Sequence, residues 1–142
     1  MKIRKATMKD VKELLNLVNN TENLSGDKND SYEVYTLKQY IEGPISNLFV
    51  ADINGEIVGF ILIEVWKKAK YTYVTDIAVD KRFRGKHIGY NLMIYAEKFA
   101  KKQGSKYFFY YMQENNKAME RMSAKLGYKK GRKFIFYSKG IK

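Results

Sequence analysis

The strongest constraint on the fold comes from residues 71–103, where a strand pattern gives way to a helical one across a short basic loop. The segment "YTYVTDIAV" predicts a β-strand, and apolar residues then recur at helical spacing from Ile88 to about residue 103. The intervening loop carries glycine at position 85, and a second glycine follows at position 89. A strand, a loop and an amphipathic helix in this order predict a crossover to a parallel strand.

The remaining segments surround this unit with further strands and helices. Thr7 and Asp10 form a capping-box pattern at the start of the first helix, Gly104 suits the end of the long helix, and Asn54-Gly55 predicts a hairpin turn. The predicted elements are a strand at 2–6, a helix from Thr7, a loop at 20–31, a helix capped by Ser31, two hairpin strands across 47–66, the strand at 71–79, the helix from Ile88, a central strand at 106–112, a short helix ending at Gly127, and a pair of strands or one bent strand at 128–139.

This order predicts an α/β (α+β) fold with a mixed sheet. The early strands are linked by a hairpin and are therefore antiparallel, whereas the strands at 71–79 and 106–112 are joined through a helix and are expected to be parallel. Helices are expected on both faces of the sheet. A length of 142 residues suits a single domain over 1–142 with one core.

Composition excludes several classes of function. The chain has no cysteine and one histidine, His87, so disulfides, a thiol nucleophile and a metal site are not expected. No segment approaches the length of a membrane span, and the N-terminus lacks the apolar core of a signal peptide. We therefore expect a soluble, cytoplasmic protein without a membrane partner.

The formal net charge of +12 favours a polyanionic partner such as nucleic acid, an anionic surface or a phosphorylated cofactor. Lysine far outnumbers arginine, which fits a solvated surface better than bidentate phosphate or base recognition. A local concentration of charge is more informative, and four of the six residues at 81–86 are cationic. A helix N-terminus with unpaired N–H groups follows them, so the loop is predicted to bind a phosphate group.

Two motifs carry a resemblance to a known family. The stretch "DIAVDKRFRGKHIGYNLM" resembles the acetyl-CoA loop of the GNAT superfamily of N-acetyltransferases, whose pattern is [RQ]-x-x-G-x-[GA] after a strand that ends in "AV". Arg84 and Gly89 match this pattern, and His87 stands where the first family glycine usually sits. The stretch "NNKAMERMSAKLGY" resembles the second cofactor element, N-x-A-x-x-R-x-x-x-K-x-G-[FY], in the form found in the branch with ribosomal-protein N-terminal acetyltransferases.

The resemblance implies acetyl-CoA as the cofactor and assigns its contacts. In the family, the strand before the loop pairs with the pantetheine arm and supplies an oxyanion-hole N–H, and the loop amides bind the pyrophosphate. The implied strand residues are Ile77, Ala78 and Val79, and the implied loop residues are Arg84, Gly85, Lys86, His87, Ile88, Gly89 and Tyr90. Asn116 would bind the pantetheine region, and Arg121 or Lys125 would lie near the nucleotide.

The resemblance also locates catalytic candidates. Many relatives carry a tyrosine general acid on the last helix, and Ser123 occupies that position here. A hydroxyl from Tyr110, Tyr111 or Tyr128 is a possible substitute, and Tyr111 is included with Ser123 among the catalytic candidates. Asp76 is a candidate general base, with a structural hydrogen-bonding role as the alternative.

Acidic residues offer candidates for the acceptor side. In the family the loop between the first two helices borders the acceptor site, and here it carries Glu22, Asp27 and Asp30 against Lys28. These carboxylates would attract a cationic amine, or they serve only as turn residues. Glu64 and Glu114 either line the same cleft or point into solvent. The twelve tyrosines either form a substrate-binding wall or belong to the core and edges.

The motifs together predict an acetyl-CoA-dependent N-acetyltransferase that works by direct transfer in a ternary complex. The acceptor is an amine, namely a protein N-terminus, a lysine or a small amino compound, and the protein is a monomer or a homodimer. One alternative is an acetyl-CoA sensor without catalysis, which Ser123 leaves open. A nucleic-acid-binding domain is a second alternative, but "YFFYYM" predicts a buried strand rather than base-stacking aromatics, so no nucleic acid is expected.

Overall fold

A computed structural model describes residues 1–21 and 33–141 of the chain. The elements in these ranges are β1 (Lys2–Lys5), α1 (Val11–Asn19), α2 (Val34–Glu42), β2 (Ser46–Ile53), β3 (Glu56–Trp66), β4 (Tyr71–Val79), α3 (Ile88–Lys102), β5 (Tyr107–Phe109) and α4 (Lys117–Leu126). Short 3₁₀ turns at Met8–Asp10 and Lys81–Phe83 precede α1 and α3. The predicted cap at Ser31 and most of the loop at 20–31 lie outside the described residues.

The strands form one mixed sheet in the order β1-β2-β3-β4-β5. All neighbours are antiparallel except β4 and β5, which are parallel, as the sequence predicts. Asn54 and Gly55 adopt positive φ angles of 52° and 89° in the hairpin between β2 and β3, which is the backbone that a two-residue hairpin turn requires.

Helices cover both faces of the sheet, and each face has its own apolar cluster. The cluster under α1 and α2 contains Leu14, Leu37 and Phe60, and the cluster under α3 contains Phe49, Ile61 and Leu92. Because β2 and β3 lie between the two clusters, their side chains are buried on both faces. This explains why these strands are nearly continuous apolar runs.

The N-terminal turn is fastened to the sheet by a small polar network. The Asp10 carboxylate accepts a hydrogen bond from the Thr7 backbone N–H at 2.7 Å, which confirms the predicted capping contact. Arg4 donates two hydrogen bonds of 2.9 Å to Asp10 and two, of 3.0 and 3.2 Å, to Asp52. The Arg4 guanidinium, opposed in part by burial, holds the pKa of Asp10 below its usual value.

Two predictions for the C-terminal part are wrong. The strand expected at the centre of the sheet over 106–112 is the three-residue outer strand β5, and Tyr107 is 74% exposed. Residues 128–141 form neither a strand nor a helix, although a strand was expected at 128–139. The reason is common to both: β5 leaves β4 after three residue pairs, so the segments beyond it have no strand neighbour among the described residues.

No helix within 1–21 and 33–141 is long and apolar enough to cross a membrane.

Candidate functional site

An opening between β4 and β5 dominates the C-terminal edge of the sheet. The two strands pair only from Tyr71 to Tyr73 of β4, and residues 74–79 continue without β5 beside them. A β-bulge at Thr75 lies close to the point where the strands separate. Leu62 of β3 pairs with Asp76 and the next residue, Ile63, pairs with Val74, so Thr75 has no partner residue in β3. The Thr75 hydroxyl is buried and has no hydrogen-bond partner within the described structure. A ligand in the opening could supply that missing partner.

The end of β4 offers backbone hydrogen bonds to the opening. The Asp80 N–H donates to the Val58 carbonyl of β3 at 2.9 Å, so in the antiparallel pattern residue 78 also directs its backbone groups toward β3. Alternation then directs the N–H and C=O groups of Ile77 and Val79 away from β3, toward the opening. These are the strand residues that the family resemblance assigns to the pantetheine arm.

The N-terminus of α3 supplies unpaired N–H groups beside this strand. The first intrahelical bond is donated by Asn91 to the His87 carbonyl at 2.9 Å, so the N–H groups of Ile88, Gly89 and Tyr90 lie ahead of it without helical partners. His87 precedes the helix in a left-handed conformation, with φ of 60°, and its side chain makes no capping bond. Left-handed backbone favours glycine, which explains why the family pattern usually has glycine at this position.

The cations of the loop divide into two groups. Arg82 is held by Asp80 and Glu56, with closest N···O distances of 2.7 Å to each, so it secures the loop to β3. Arg84 donates from Nε to the Val79 carbonyl at 3.3 Å, and Lys86 lies 5.3 Å from the centre of the Phe83 ring. Lys81, Arg84 and Lys86 are therefore the loop cations that make no ion pair with a carboxylate among the described residues.

Gly89 marks the place where α3, β4 and α4 converge. A Cβ atom at this position would lie 3.6 Å from Val79 Cγ2 and 3.7 Å from Met122 Sδ, so a larger side chain would fill the gap between the three elements. Lys125 of α4 places its Nζ 4.8 Å from the centre of the Tyr90 ring. The two sequence motifs are therefore adjacent, and the residues fit a ligand that runs from the opening to the start of α3.

The remaining candidates on α4 have defined surroundings. The Asn116 side-chain oxygen caps α4 by accepting from the Met119 N–H at 3.1 Å, which leaves its amide nitrogen to donate elsewhere. Gly127 ends the helix with φ of 83°. Arg121 is exposed on α4.

Ser123 and Tyr110 are joined by a hydrogen bond on the α3 side of the opening. Ser123 donates its own proton to the Met119 carbonyl at 2.6 Å, so the Tyr110 hydroxyl must be the donor to Ser123 Oγ. Burial raises the pKa of Tyr110, although the bond to Ser123 acts in the opposite direction. Tyr128 donates instead to Glu97, and burial raises its pKa. Of the three tyrosines named from the sequence, Tyr110 is the one whose hydroxyl contacts the Ser123 hydroxyl.

The other two catalytic candidates lie on the opposite face. Asp76 is 9% exposed and pairs with Leu62, whose side chain belongs to the cluster under α1 and α2. Tyr111 is 62% exposed and contacts Tyr73 and Phe109 rather than Ser123. The structure therefore separates Ser123 from Asp76 and Tyr111 by the thickness of the sheet.

An aromatic wall covers the α2 side of this edge; the sequence analysis raised a tyrosine wall as one alternative but did not name its members. It consists of rings in continuous contact at centroid distances of 5.4–6.2 Å: Trp66, Tyr71, Tyr73, Phe109 and Tyr111. Burial raises the pKa of Tyr73, and the neighbouring Tyr111 and Glu64 raise it further. The signal was present in β4, where half-buried tyrosines alternate with buried Thr72 and Val74.

A cleft of about 550 Å³ lies beside this wall between α2 and the end of β3. Glu64 lines it and accepts a hydrogen bond from Trp66 Nε1 at 3.1 Å. Glu114 is not in this cleft; it forms an exposed ion pair with Lys133 at 3.0 Å. Glu22, Asp27 and Asp30 lie outside the described residues. Within the described ranges, no cluster of three His, Cys, Asp or Glu side chains is arranged to hold a metal ion.

Solved structures share this fold at low sequence identity. An aminoglycoside acetyltransferase from an uncultured soil metagenomic sample, in complex with sisomicin, superposes with a TM-score of 0.80 over 99% of this chain and 96% of that chain, at 19% identity. An aminoglycoside acetyltransferase bound to a CoA-containing bisubstrate analogue gives 0.82 over 99% and 98%, at 16% identity. A transcriptional regulator from Bacillus halodurans gives 0.79 over 95% and 99%, at 23% identity.

None of the curated proteins compared with the chain matches it. A family model does match, and its description is the acetyltransferase (GNAT) family; the match extends over residues 11–128 and includes both the loop before α3 and the whole of α4. Enzymes of this family use acetyl-CoA, and the arrangement of β4, α3 and α4 has the backbone groups to bind it. The chain belongs to the acetyltransferase (GNAT) family.

Proposed function

We propose that this protein is an N-acetyltransferase that moves an acetyl group from acetyl-CoA to a primary amine by direct attack in a ternary complex. One observation carries the proposal: the unpaired end of β4 lies next to the free N–H groups at the start of α3. The first can pair with an extended amide-containing arm, and the second can bind a phosphate. Acetyl-CoA contains both groups.

The residues that would hold acetyl-CoA follow from this arrangement. The backbone of Ile77 and Val79 would pair with the pantetheine arm, and an N–H group there would stabilise the oxyanion. The N–H groups of Ile88, Gly89 and Tyr90 would bind the pyrophosphate. Acetyl-CoA supplies the acetyl group already activated as a thioester. Arg84, which now donates to the Val79 carbonyl, would exchange that contact for a phosphate oxygen.

We assign delivery of a proton to the leaving CoA thiolate to Tyr110 and Ser123 together. A serine hydroxyl is a weak acid, but rotation of the Ser123 hydroxyl away from the Met119 carbonyl would give its proton to the opening. The Tyr110 hydroxyl, already donating to Ser123 Oγ, would replace that proton as it leaves. A tyrosine hydroxyl is protonated at neutral pH, and burial raises the pKa of Tyr110 further.

The acceptor is assigned to the opposite face. A lysine-type amine has a pKa of about 10.4 and must lose a proton before it attacks. Asp76 is the carboxylate of β4 on that face, next to the bulge at Thr75, and is the proposed general base. The cleft with Glu64 and Trp66 would admit an amine with a positive charge and an apolar surface. Aminoglycosides are such amines for two of the similar structures; a protein N-terminus, a lysine or a small amine remain the candidate classes here.

A panel of amines, assayed for CoA thiol released from acetyl-CoA, tests the proposal. At least one class should give saturable thiol release, whereas release no faster than without amine would leave an acetyl-CoA sensor as the better account. With an active amine, Tyr110→Phe should lower kcat by about 10²-fold, in the range of general acid catalysis, without weakening acetyl-CoA binding. Tyr111→Phe is the matched control and should leave the acid-dependent step unchanged. Equal effects of the two changes would contradict the relay.

A further inference from the structure

A hydrogen bond between α3 and the residue pair that follows α4 has no part in the chemistry proposed so far. Tyr128 donates its hydroxyl proton to the Glu97 carboxylate, and both residues are partly buried. Burial is the largest cause that raises the pKa of Tyr128, and the contact with Glu97 raises it further, so this hydroxyl stays protonated and acts as the donor. The contact therefore ties the end of α4 to the second half of α3.

Tyr128 also contacts both residues of the proposed proton relay. Its backbone N–H donates to the Ser123 carbonyl at 2.9 Å, and this bond closes the C-terminal turn of α4. The centre of its ring lies 5.1 Å from the centre of the Tyr110 ring, with an angle of 64° between the two planes. Aromatic pairs prefer this edge-to-face arrangement, so the orientation of one ring restricts the orientation of the other. Tyr128 is therefore placed to fix where the Tyr110 hydroxyl points.

Glu97 lies on the rigid side of this contact. Its neighbours on α3, Ala96 and Ala100, are 0% and 2% exposed, so the closed core holds this part of the helix. Tyr110, by contrast, is only partly buried. Burial is the largest cause that raises the pKa of Tyr110, and the charge of Glu97 adds to it, as expected for a carboxylate close to both rings. Glu97 thus connects a well-packed helix to a tyrosine whose own surroundings hold it less firmly.

We infer that Glu97, acting through Tyr128, is a positioning residue for acetyl transfer and keeps the Tyr110 hydroxyl on Ser123. The inference rests on the proton relay of the proposed function. The hydrogen bond to Glu97 prevents the Tyr128 ring from swinging away, and that ring in turn blocks rotation of the Tyr110 side chain. Without this support, the Tyr110 hydroxyl would leave Ser123 Oγ for part of the time, and a proton given up by Ser123 would not be replaced. Proton transfer requires donor and acceptor within hydrogen-bond distance, so a small displacement lowers the rate.

Nuclear Overhauser effects test the mechanical step in the protein alone, without an acceptor. Tyr128→Phe keeps the ring and the backbone N–H and removes only the hydroxyl that reaches Glu97. The effect between the Tyr110 ring and the Ser123 Hβ protons should be lost or weakened in this variant. Tyr107→Phe removes an exposed hydroxyl from β5 and should leave that effect intact. An unchanged effect in Tyr128→Phe would mean that Tyr110 is held without Glu97 and would overturn the inference.

Kinetics with an active amine test the catalytic consequence. Tyr128→Phe and Glu97→Ala should each lower kcat by about 10-fold, with an unchanged KM for acetyl-CoA, because the relay is displaced but not removed. Glu120→Ala removes a carboxylate of α4 that pairs with Lys130 at 3.4 Å, and as the control it should leave kcat unchanged. In the Tyr110→Phe background, Tyr128→Phe should lower kcat no further, since it acts through the missing hydroxyl. An equal loss in both backgrounds would mean a general weakening of the fold, and the positioning role would be wrong.

Two outcomes separate a failure of this inference from a failure of the proposed function. If Tyr110→Phe lowers kcat but Tyr128→Phe and Glu97→Ala do not, the relay stands and the role of Glu97 is wrong. If Tyr110→Phe leaves kcat unchanged, or if no amine gives release of CoA thiol, the relay itself is wrong and Glu97 has nothing to position.

Discussion

Two parts of the molecule meet at the proposed acetyl-CoA site, and they differ in how completely they are packed. Every buried residue among those described lies in β1–β4, in α1–α3 or in the turn between β1 and α1, and the last of them is Ala100. No described residue after Ala100 is buried, and the apolar residues of α4, such as Met122 and Leu126, are only partly covered. The first part has a closed core, whereas no described residue of the second part is buried.

This difference assigns different roles to the two parts. The first part provides a rigid start of α3 and a fixed end of β4, which a phosphate and an extended arm can use without rearrangement. The second part contributes Ser123 and Tyr110, which are only partly buried. In the proposed function, bound acetyl-CoA covers this side of the second part.

The largest expected effect comes from a pair of matched leucine truncations. Leu92→Ala in the closed core should lower the free energy of unfolding by about 2–5 kcal/mol, because the site is fully enclosed and leaves a cavity. Leu126→Ala in α4 should cost about 1 kcal/mol or less, since this side chain is already partly solvated. Chemical denaturation measures both. Equal losses would show that the C-terminal part has a core of its own.

Hydrogen exchange with and without acetyl-CoA sharpens the same contrast. A ligand at 100 times its Kd adds about 2.7 kcal/mol to stability, and its local effect is greatest where the free protein is least protected. Protection should therefore rise more in residues 107–127 than in residues 46–66. A uniform change across both segments, in a protein that binds the cofactor, would mean that the two parts were already equally ordered.

Polar contacts should show the contrast at a smaller scale. Asp10→Asn in the first part removes one of the two charged partners of Arg4 and should lower the free energy of unfolding by about 1–3 kcal/mol. Glu114→Gln removes an exposed ion pair with Lys133 and should leave the free energy of unfolding unchanged within error.

The pH dependence of the Asp10 contribution has a defined sign. Because the folded state lowers the pKa of Asp10, the stabilisation is present above the ordinary carboxylate pKa and is lost as pH falls through the lowered value. The difference between wild type and Asp10→Asn should therefore shrink in acid. A difference that grows as pH falls would contradict the role of the Arg4 contact.

The smallest expected effect lies in the loop between β4 and α3, at the border of the proposed site. His87 has a φ of 60°, so His87→Gly should relieve backbone strain and raise the free energy of unfolding by up to about 1 kcal/mol. Lys86→Gly in the same loop is the control, because Lys86 is not among the residues with positive φ and gains nothing from glycine. Thermal unfolding compares them. An equal response of the two variants would rule out strain at position 87.

Sequence reasoning succeeded where the deciding contacts are local. The Asn54-Gly55 turn, the contact between Thr7 and Asp10, and the loop before α3 each depend on residues within a few positions of one another. It failed for the length of β5 and for the expected strand at 128–139, because strand pairing depends on a neighbour that the local pattern does not specify.

The choice between Tyr110 and Tyr111 shows the same limit at the candidate site. Tyr110 and Tyr111 are adjacent in the sequence, yet one contacts Ser123 and the other belongs to the aromatic wall on the opposite face. In a strand a shift of one residue exchanges the two faces, so the choice requires the register of β5 against β4. The members of the aromatic wall could not be named from the sequence for the same reason, since its rings come from three strands or their extensions.

Calorimetric titration with acetyl-CoA tests the central claim most directly, namely that the unpaired end of β4 and the start of α3 bind this cofactor. The wild type should bind one acetyl-CoA per chain with a saturable heat. Gly89→Glu should abolish binding while the fold persists by circular dichroism, because a carboxylate side chain would fill the space between Val79 and Met122 and repel the phosphates. Absence of heat from the wild type at millimolar acetyl-CoA, or full affinity in Gly89→Glu, would contradict the account.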